Sequence, residues 1–411
     1  MGESTITVPA EDQAIGARVR TIRRRRGLSV ETAAGLAGID KSFLSRLETG
    51  RRAFIRRGLL EDIAAALSCS VADLTGVPYF SPDRETTAAQ AAIPEVAAAL
   101  HDSTLTDVPD VAVRPLSELV TAAAAALAYS DNVELHRAGQ GLGALITELH
   151  VHAATGDGDT KRTALAALVE ACITARALAG TVGHAELAIS AARRGYDAAR
   201  VLERPDLVGF MAMGRVMTLG RVGARHRALR VADRVLAELP VGPVGDDTRT
   251  TEARGMLHLS AALISTRNGS TGDADTHLGE AKELATRVGE RNHMRFHFGR
   301  ANTAAWDLSI AVEAGTGPDA AARFTSAGIN LDVFGSRDRE ASVHLDLARA
   351  WAQTDGDRDG DVVRALDTAD RLAPIRVRSD PIARDLVVDL HRRAKRRVWE
   401  LDSLRNRLGV A

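Results

Sequence analysis

The stretch GLSVETAAGLAGIDKSFLSRLETGRR, from Gly27 to Arg52, decides how the N-terminal part of the chain folds. Ser29 is a favourable N-cap for a first short helix, and Gly38 is a natural end for it. Asp40 is an N-cap for a second short helix, which Gly50 ends. The stretch therefore predicts two short helices joined by a tight turn that contains glycine.

The residues around this stretch complete a small helical bundle. Apolar residues at helical spacing and helix-capping residues predict helices over 14–26, 30–37, 41–48, 58–67 and 70–74. Five short helices in about sixty residues form a compact unit with its own core.

Positive charge is concentrated in this bundle. Residues 13–60 contain 12 Lys or Arg and 3 acidic residues, a local charge of +9, whereas the whole chain has a formal charge of −1. A compact basic segment is the electrostatic footprint of a nucleic-acid-binding module, because neutralised phosphates supply most non-specific affinity. The acidic remainder of the chain is not expected to bind DNA.

The composition indicates a soluble, all-helical protein. The chain has 411 residues, 45% of them hydrophobic, 26% charged and 3% aromatic. This length predicts two or three domains, and abundant alanine favours helices. The two cysteines lie far apart and support neither a disulfide framework nor a zinc site, and no signal peptide or membrane span is expected. These features predict a cytoplasmic location.

The rest of the chain predicts an α-solenoid. Residues 79–114 are predicted to be a linker with one helix, over about 86–101, and helical patterns continue from 115 to 411. The pattern apolar-x-x-Ala recurs with alanines 40 to 49 residues apart, at Ile189/Ala192, Leu229/Ala232, Leu278/Ala281, Phe324/Ala327 and Leu366/Ala369. Each interval holds two helices, so the repeating unit is a helical hairpin that must stack on its neighbours to bury its apolar face. Residues 1–12 are predicted to be a disordered arm.

The N-terminal module resembles the helix-turn-helix domain of the Cro/C1-type (XRE) repressor family. The resemblance covers 13–78 and depends on the run Gly-Leu-Ser followed by Ala34, Gly38, Ser42, Ser45, Leu47, Glu48 and Gly50. It implies that the second helix of the motif enters the major groove of operator DNA. One short recognition helix reads only a few base pairs, so the resemblance also implies a homodimer.

The resemblance implies roles for individual residues of the module. Lys41, Ser42 and Arg46 match base-reading positions, and Ser45 lies on the same face and could contact a base or a phosphate. The arginines that follow the recognition helix are expected at the DNA backbone, with a solvated basic loop as the alternative; they are Arg51, Arg52, Arg56 and Arg57. Arg23 and Glu48 match positions that form a buried ion pair in the family.

An XRE module followed by helical hairpins is also similar to the architecture of peptide-responsive regulators, whose tetratricopeptide-like domain binds a signal peptide on its concave face. A helix predicted over 292–314 places Arg295, Asn302 and Trp306 on one stripe that could bind a peptide or a small molecule. Ordinary polar contacts beside a buried tryptophan are the alternative. Arg254 belongs to a possible basic ladder for an acidic ligand, for which salt bridges are an equal alternative.

These features together predict a sequence-specific transcription regulator with a ligand-sensing repeat domain. The rival hypothesis is a protein-interaction scaffold that its DNA-binding module tethers to DNA. Neither an enzyme nor a cofactor is expected, because the chain lacks a P-loop and a nucleophile elbow. No metal site is expected either, because His293 and His297 have helical metal spacing but no third ligand nearby.

Overall fold

The computed structural model describes residues 14–78, 84–241, 247–293, 295–394 and 396–410. The arm predicted over 1–12 lies outside these described residues. Within them the protein is all-helical, without a β-strand, as the sequence predicts.

The N-terminal bundle consists of α1 (Ile15–Arg25), α2 (Val30–Leu36), α3 (Lys41–Glu48), α4 (Arg57–Ala66) and α5 (Val71–Thr75). Local capping fixes its helix starts: the Ser29 side chain accepts a hydrogen bond from the Thr32 amide, and the Asp40 side chain accepts one from the Ser42 amide. The end of the bundle is capped by Gly76, whose positive φ of 69° suits glycine.

The segment predicted to be a linker contains two helices rather than one. Helix α6 (Arg84–Ala91) is followed directly by α7 (Ile93–Asp102). The break falls at Ala92 because Pro94, at the start of α7, cannot continue the hydrogen-bonding pattern of α6. Both helices bury side chains in the main apolar core, so they belong to the packed body of the protein.

The remaining helices follow one another along the chain. They are α8 (Leu116–Asp131), α9 (Leu135–Ala138), α10 (Leu142–Thr155), α11 (Gly158–Thr181), α12 (Ala185–Val201), α13 (Pro205–Arg221), α14 (Arg225–Glu238), α15 (Thr248–Arg267), α16 (Thr271–Val288), α17 (Arg300–Ala314), α18 (Gly317–Ser326), α19 (Arg337–Trp351), α20 (Asp359–Leu372), α21 (Pro374–Arg378), α22 (Pro381–Arg393) and α23 (Trp399–Leu408). Short 3₁₀ turns cover Asp332–Phe334 and Ala352–Thr354.

Five helical hairpins stack into a solenoid. The pairs are α11/α12, α13/α14, α15/α16, α17/α18 and α19/α20, and the first helix of each pair also packs on the first helix of the next. The odd-numbered helices therefore form a continuous inner layer, and the even-numbered ones form an outer layer. Helix α11 is long and apolar enough to cross a membrane, but 67% of its most apolar window is buried, as expected for a central core helix.

The repeated apolar-x-x-Ala pattern lies on the outer helices. Ala192, Ala232, Ala281 and Ala369 are fully buried where an outer helix meets its neighbours. The fifth alanine was assigned incorrectly: Ala327 is exposed, because α18 ends at Ser326 and leaves it beyond the packed turn. The buried alanines of that helix are Ala320 and Ala321, so the repeat exists with irregular spacing.

The helix predicted over 292–314 begins only at Arg300. The preceding residues form a loop in which Arg295 and His297 have positive φ values of 57° and 54°. Tertiary packing imposes this conformation, because Phe298 is fully buried against Gly255, where even a Cβ atom would lie 2.0 Å from the Phe298 ring. The Glu290 carboxylate then accepts a hydrogen bond from the Ala301 amide in the first turn of α17.

The last two helices close the C-terminal end of the solenoid. Leu401, Leu404 and Leu408 of α23 are buried against α20, α21 and α22. The apolar stripe of this segment thus covers the terminal repeat, which is what a solenoid requires at its end.

The N-terminal bundle is packed against the C-terminal half of the solenoid. Its buried side chains form one apolar cluster with those of α17 to α23. The extended segment 53–55, between α3 and α4, is buried at this contact.

Candidate nucleic-acid interface and central cavity

The recognition helix α3 has one buried face and one exposed face. Leu44 and Leu47 are each 1% exposed and hold the helix in the bundle core. The four side chains expected to read DNA all lie on the exposed side; they are Lys41, Ser42, Ser45 and Arg46. Helical spacing thus presents two cations and two hydroxyls together, the groups that hydrogen-bond to base edges and phosphates.

A buried ion pair fixes the position of α3. The Arg23 Nε lies 2.5 Å from Glu48 Oε1 and its Nη2 lies 2.8 Å from Glu48 Oε2, a bidentate arrangement. The hydrogen bond to Glu48 raises the pKa of Arg23. Gly16 adds a close approach of α1 to α3, since a Cβ there would lie 2.0 Å from the Leu47 carbonyl oxygen. These contacts set the angle at which α3 is presented.

Two of the basic side chains near α3 have acidic partners in this structure. Lys41 lies 3.2 Å from Glu31, and both side chains are largely exposed, so exchanging this contact for DNA costs little. Arg52 lies 2.9 Å from Asp355 and 5.2 Å from the centre of the Phe43 ring. Arg51 is exposed beside α3.

Arg56 and Arg57, which the sequence predicts at the DNA backbone, both contact the repeat domain in this structure. Arg56 donates a hydrogen bond to the Glu313 carbonyl at 3.5 Å, and Arg57 pairs with Asp380. Both arginines therefore face the repeat domain: Arg56 contacts a backbone carbonyl and Arg57 a carboxylate, each more than 250 residues away in the chain.

Glu313 is the centre of a buried network that fastens the bundle to the solenoid. Its carboxylate accepts hydrogen bonds from the amides of Arg57 at 3.3 Å and Gly58 at 3.1 Å. It also lies 2.6 Å from Arg349 and 3.2 Å from Arg267. Burial would raise the pKa of Glu313, but the positive charges of Arg267 and Arg349 lower it far below its usual range.

Further contacts extend this network along the bundle. Glu61 on α4 lies 2.6 Å from Arg225 and 3.4 Å from Arg267. The Phe54 amide donates a hydrogen bond to Asp385 at 2.7 Å, and burial raises the pKa of Asp385 to about 7. These residues could not be predicted from the sequence, because each pair joins distant parts of the chain.

The inner helices of the solenoid enclose a cavity of about 240 Å³. It is lined mainly by residues of α11, α13, α15, α17 and α19 and of the loop before α17, with further residues from α8, α12 and α21. Arg295, Asn302 and Trp306 all line it, although Arg295 projects from the loop rather than from the predicted helix. Arg254 does not line it; its guanidinium donates to the carbonyls of Leu236 at 2.9 Å and Leu239 at 3.2 Å.

Asn302 is engaged within the protein. Its side-chain amide donates to the Phe296 carbonyl at 2.8 Å, and its oxygen accepts from Arg339 Nε at 2.7 Å. Since Asn302 is 1% exposed, its main action in this structure is to hold Arg339. The Arg339 guanidinium lies 5.9 Å from the centre of the Trp306 ring.

The cavity has a strongly cationic lining that the sequence did not reveal. Four further arginines face it; they are Arg176, Arg221, Arg339 and Arg376. Burial lowers the pKa of Arg176 and of Arg339 to about 10 and that of Arg221 to about 9, with neighbouring arginines adding to the effect. Burial also lowers the pKa of Arg376, but the Asp338 carboxylate outweighs this effect and raises the pKa. The carboxylate lies 2.5 Å from Arg376 Nε.

Comparison with known proteins identifies the N-terminal module. Residues 14–75 match the family model of a helix-turn-helix domain. Helices α1 to α5 are therefore a helix-turn-helix domain, and a helical repeat domain follows it in the chain.

No curated protein matches the chain. Among solved structures, the chain is similar to the crystal structure of Bacillus thuringiensis PlcR in complex with the peptide PapR7 and DNA. The similarity has a TM-score of 0.28 at 12% sequence identity and covers 72% of this chain and 99% of that one.

Proposed function

We propose that the protein is a cytoplasmic, sequence-specific transcription regulator. Two copies bind operator DNA through α3, and a peptide or small molecule in the central cavity changes the strength of that binding. Residues 13–78 act as the DNA-binding unit, and 115–411, together with α6 and α7, act as the sensor. Lys41, Ser42 and Arg46 read bases, Ser45 contacts a base or a phosphate, and Arg51 binds the DNA backbone.

The observation that carries this proposal is that the cavity and the bundle contact share the same helices. Helix α17 contributes Asn302 and Trp306 to the cavity and Glu313 to the network that holds the bundle. Helix α19 likewise contributes Arg339 to the cavity and Arg349 to the network.

The two sites are close enough to be coupled by one rigid element. Asn302 and Glu313 are separated by about 16 Å along α17, at 1.5 Å rise per residue. A ligand that shifts the inner helices therefore shifts the anchor of the DNA-binding domain. Allosteric coupling requires an element with two positions whose balance both sites can shift, and the inner helices α17 and α19 would be that element.

Selection of random DNA sequences with the full-length protein tests the DNA-binding part. We expect a two-fold symmetric motif with half-sites about 34 to 36 Å apart or a multiple of that spacing. Arg46→Ala should lose preference at one base pair, whereas Arg162→Ala, an equal charge change on the solenoid surface, should leave the motif unchanged. If no motif is enriched, the regulator proposal fails and the interaction-scaffold hypothesis takes its place.

The sensing part is tested by operator binding with and without a filtered cell extract. We expect the extract to change operator affinity of the wild type, and Trp306→Ala to remove this change while ligand-free affinity stays the same. A response that persists in Trp306→Ala would place the sensor outside the cavity.

A further inference from the structure

The central cavity contains more positive than negative charge. Five arginines but only two aspartates line it, Asp131 and Asp338. Asp338 pairs with Arg376, and Asp131 lies 3.1 Å from Arg295. The two carboxylates are therefore already occupied.

The other three arginines have no carboxylate at ion-pair distance among the described residues. Arg176 has neither a hydrogen bond nor an ion pair within the described part of the chain. Arg221 is exposed, and among the described residues it donates to the Gly180 carbonyl alone, at 3.0 Å. Arg339 is held by Asn302 through Nε, while its Nη2 is buried without a partner.

Unbalanced positive charge on half-buried side chains such as Arg176 and Arg339 is costly. A buried guanidinium normally has a carboxylate or several carbonyl groups around it, because removing the ion from water is otherwise unfavourable. The lowered pKa values of Arg176, Arg221 and Arg339 express the same cost. Arg176 and Arg339 are half-buried and Arg221 is exposed, and an anion that enters the cavity would balance the charge of all three.

The cavity also has an apolar part. Its side chains are contributed by α8 and by three inner helices; they are Leu127, Ile173, Met213, Met217 and Trp306. The volume of about 240 Å³ lies just below the usual range of about 300 to 1,000 Å³ for ligand pockets. This size suits a small molecule better than a long peptide.

We infer that the cavity binds a small acidic ligand with two or more carboxylate or phosphate groups, which Arg176, Arg221 and Arg339 hold while its apolar part lies against Trp306. The inference rests on the proposed function, because it names the chemical class of the ligand that the repeat domain senses.

The acidic site lies next to the contact that holds the DNA-binding domain. Arg221 and Arg376 also line an adjoining cleft of about 720 Å³, together with Arg57 of the bundle and its partner Asp380. An anion at Arg221 adds negative charge beside the Arg57–Asp380 pair. Ligand binding and bundle anchoring are thereby linked by electrostatics as well as by the shared helices.

Thermal unfolding of the full-length protein with simple anions tests the inference. Pyrophosphate represents the phosphate class and citrate the carboxylate class, and sodium chloride at equal ionic strength is the control. We expect pyrophosphate, citrate or both to raise the unfolding midpoint by several degrees in a saturable way, because a ligand that binds only the folded state stabilises it. A response to one anion alone identifies the acidic group of the natural ligand.

Matched variants assign the effect to the cavity. Arg176→Gln should abolish the anion-dependent shift, and its anion-free midpoint should be no lower than that of the wild type, because an uncompensated buried charge has been removed. Arg46→Ala should keep the full shift, which excludes anion binding at the DNA-reading face. A purely structural Arg176 would instead lower the anion-free midpoint and leave the anion response in place.

The outcomes separate the inference from the proposed function. Absence of any saturable shift, or its survival in Arg176→Gln, overturns the acidic-ligand site even if operator binding still responds to cell extract. A shift that depends on Arg176 but leaves operator affinity unchanged supports the site and refutes the regulatory coupling.

Discussion

Replacement of Glu313 by glutamine should loosen the contact between the DNA-binding domain and the solenoid. The substitution keeps the size of the side chain and an oxygen that can accept from the Gly58 amide, but it removes the negative charge. Arg349 and Arg267, whose side chains are 3% and 5% exposed, then lose their shared counter-charge.

The structure sets the magnitude of this effect. Removing one partner of a buried ion pair typically costs about 3 to 5 kcal/mol. Arg349 keeps Asp346 at 2.7 Å, and Arg267 keeps Glu61 at 3.4 Å. We therefore expect the lower end of the range, about 3 kcal/mol, because neither arginine is left entirely without a carboxylate.

Hydrogen exchange of the segment 53–58 measures this loss where it occurs. Glu313 protects the amides of Arg57 and Gly58, so exchange there reports the opening of the contact. A loss of about 3 kcal/mol corresponds to exchange roughly 100-fold faster. Asp159→Asn is the control, because its partner Arg162 is an exposed surface arginine and the pair contributes little.

The reasoning is refuted if exchange in 53–58 is within twofold of the wild type in Glu313→Gln. The network would then add nothing to docking, and the apolar cluster alone would hold the bundle in place.

Three further predictions concern the DNA-binding domain and its contact with the solenoid. Arg46→Ala should cost about 1 to 3 kcal/mol of operator binding and relax one base-pair preference, as measured by fluorescence anisotropy on a set of single-base operator variants; unchanged affinity for all of them would remove Arg46 from base reading. Glu48→Ala strands buried Arg23 and should destabilise the domain by about 3 to 5 kcal/mol in denaturant unfolding, whereas an unmoved transition would show that the pair is not needed. Burial raises the pKa of Asp385 in the folded protein to about 7, above its unfolded value. Protonated Asp385 therefore stabilises docking at low pH, and this stabilisation is lost as pH rises through about 7. Asp385→Asn, which keeps an acceptor for the Phe54 amide, should flatten the pH dependence of exchange in 53–58; an unchanged profile would exclude Asp385 as its source.

The sequence by itself determined the local structure of the N-terminal module. The helix predicted over 41–48 has those bounds, and the others differ by one or two residues, because Ser29, Asp40 and Gly50 define helix ends through contacts with their immediate neighbours. The solenoid was predictable for a related reason: buried alanines on the outer helices recur with the repeat.

Tertiary structure alone decided the contacts between distant segments. Arg56 and Arg57 belong to a basic run that resembles a DNA-backbone contact, but Glu313 and Asp380 lie close to them only in the folded chain. The segment before α17 has a helical pattern, but the burial of Phe298 against Gly255 outweighs its local preference.

The cavity shows most clearly which residues could be predicted from the sequence and which were placed only by the tertiary structure. Trp306 and Asn302 could be chosen from the sequence because they share one helix, with the spacing of a single face. Arg176, Arg221 and Arg339 come from three different hairpins, and an arginine in a helical sequence gives no indication of whether it faces solvent or an enclosed space. Stacking of the hairpins decides this, because it turns the inner faces of separate helices toward one volume and thereby brings together charges that the sequence keeps far apart.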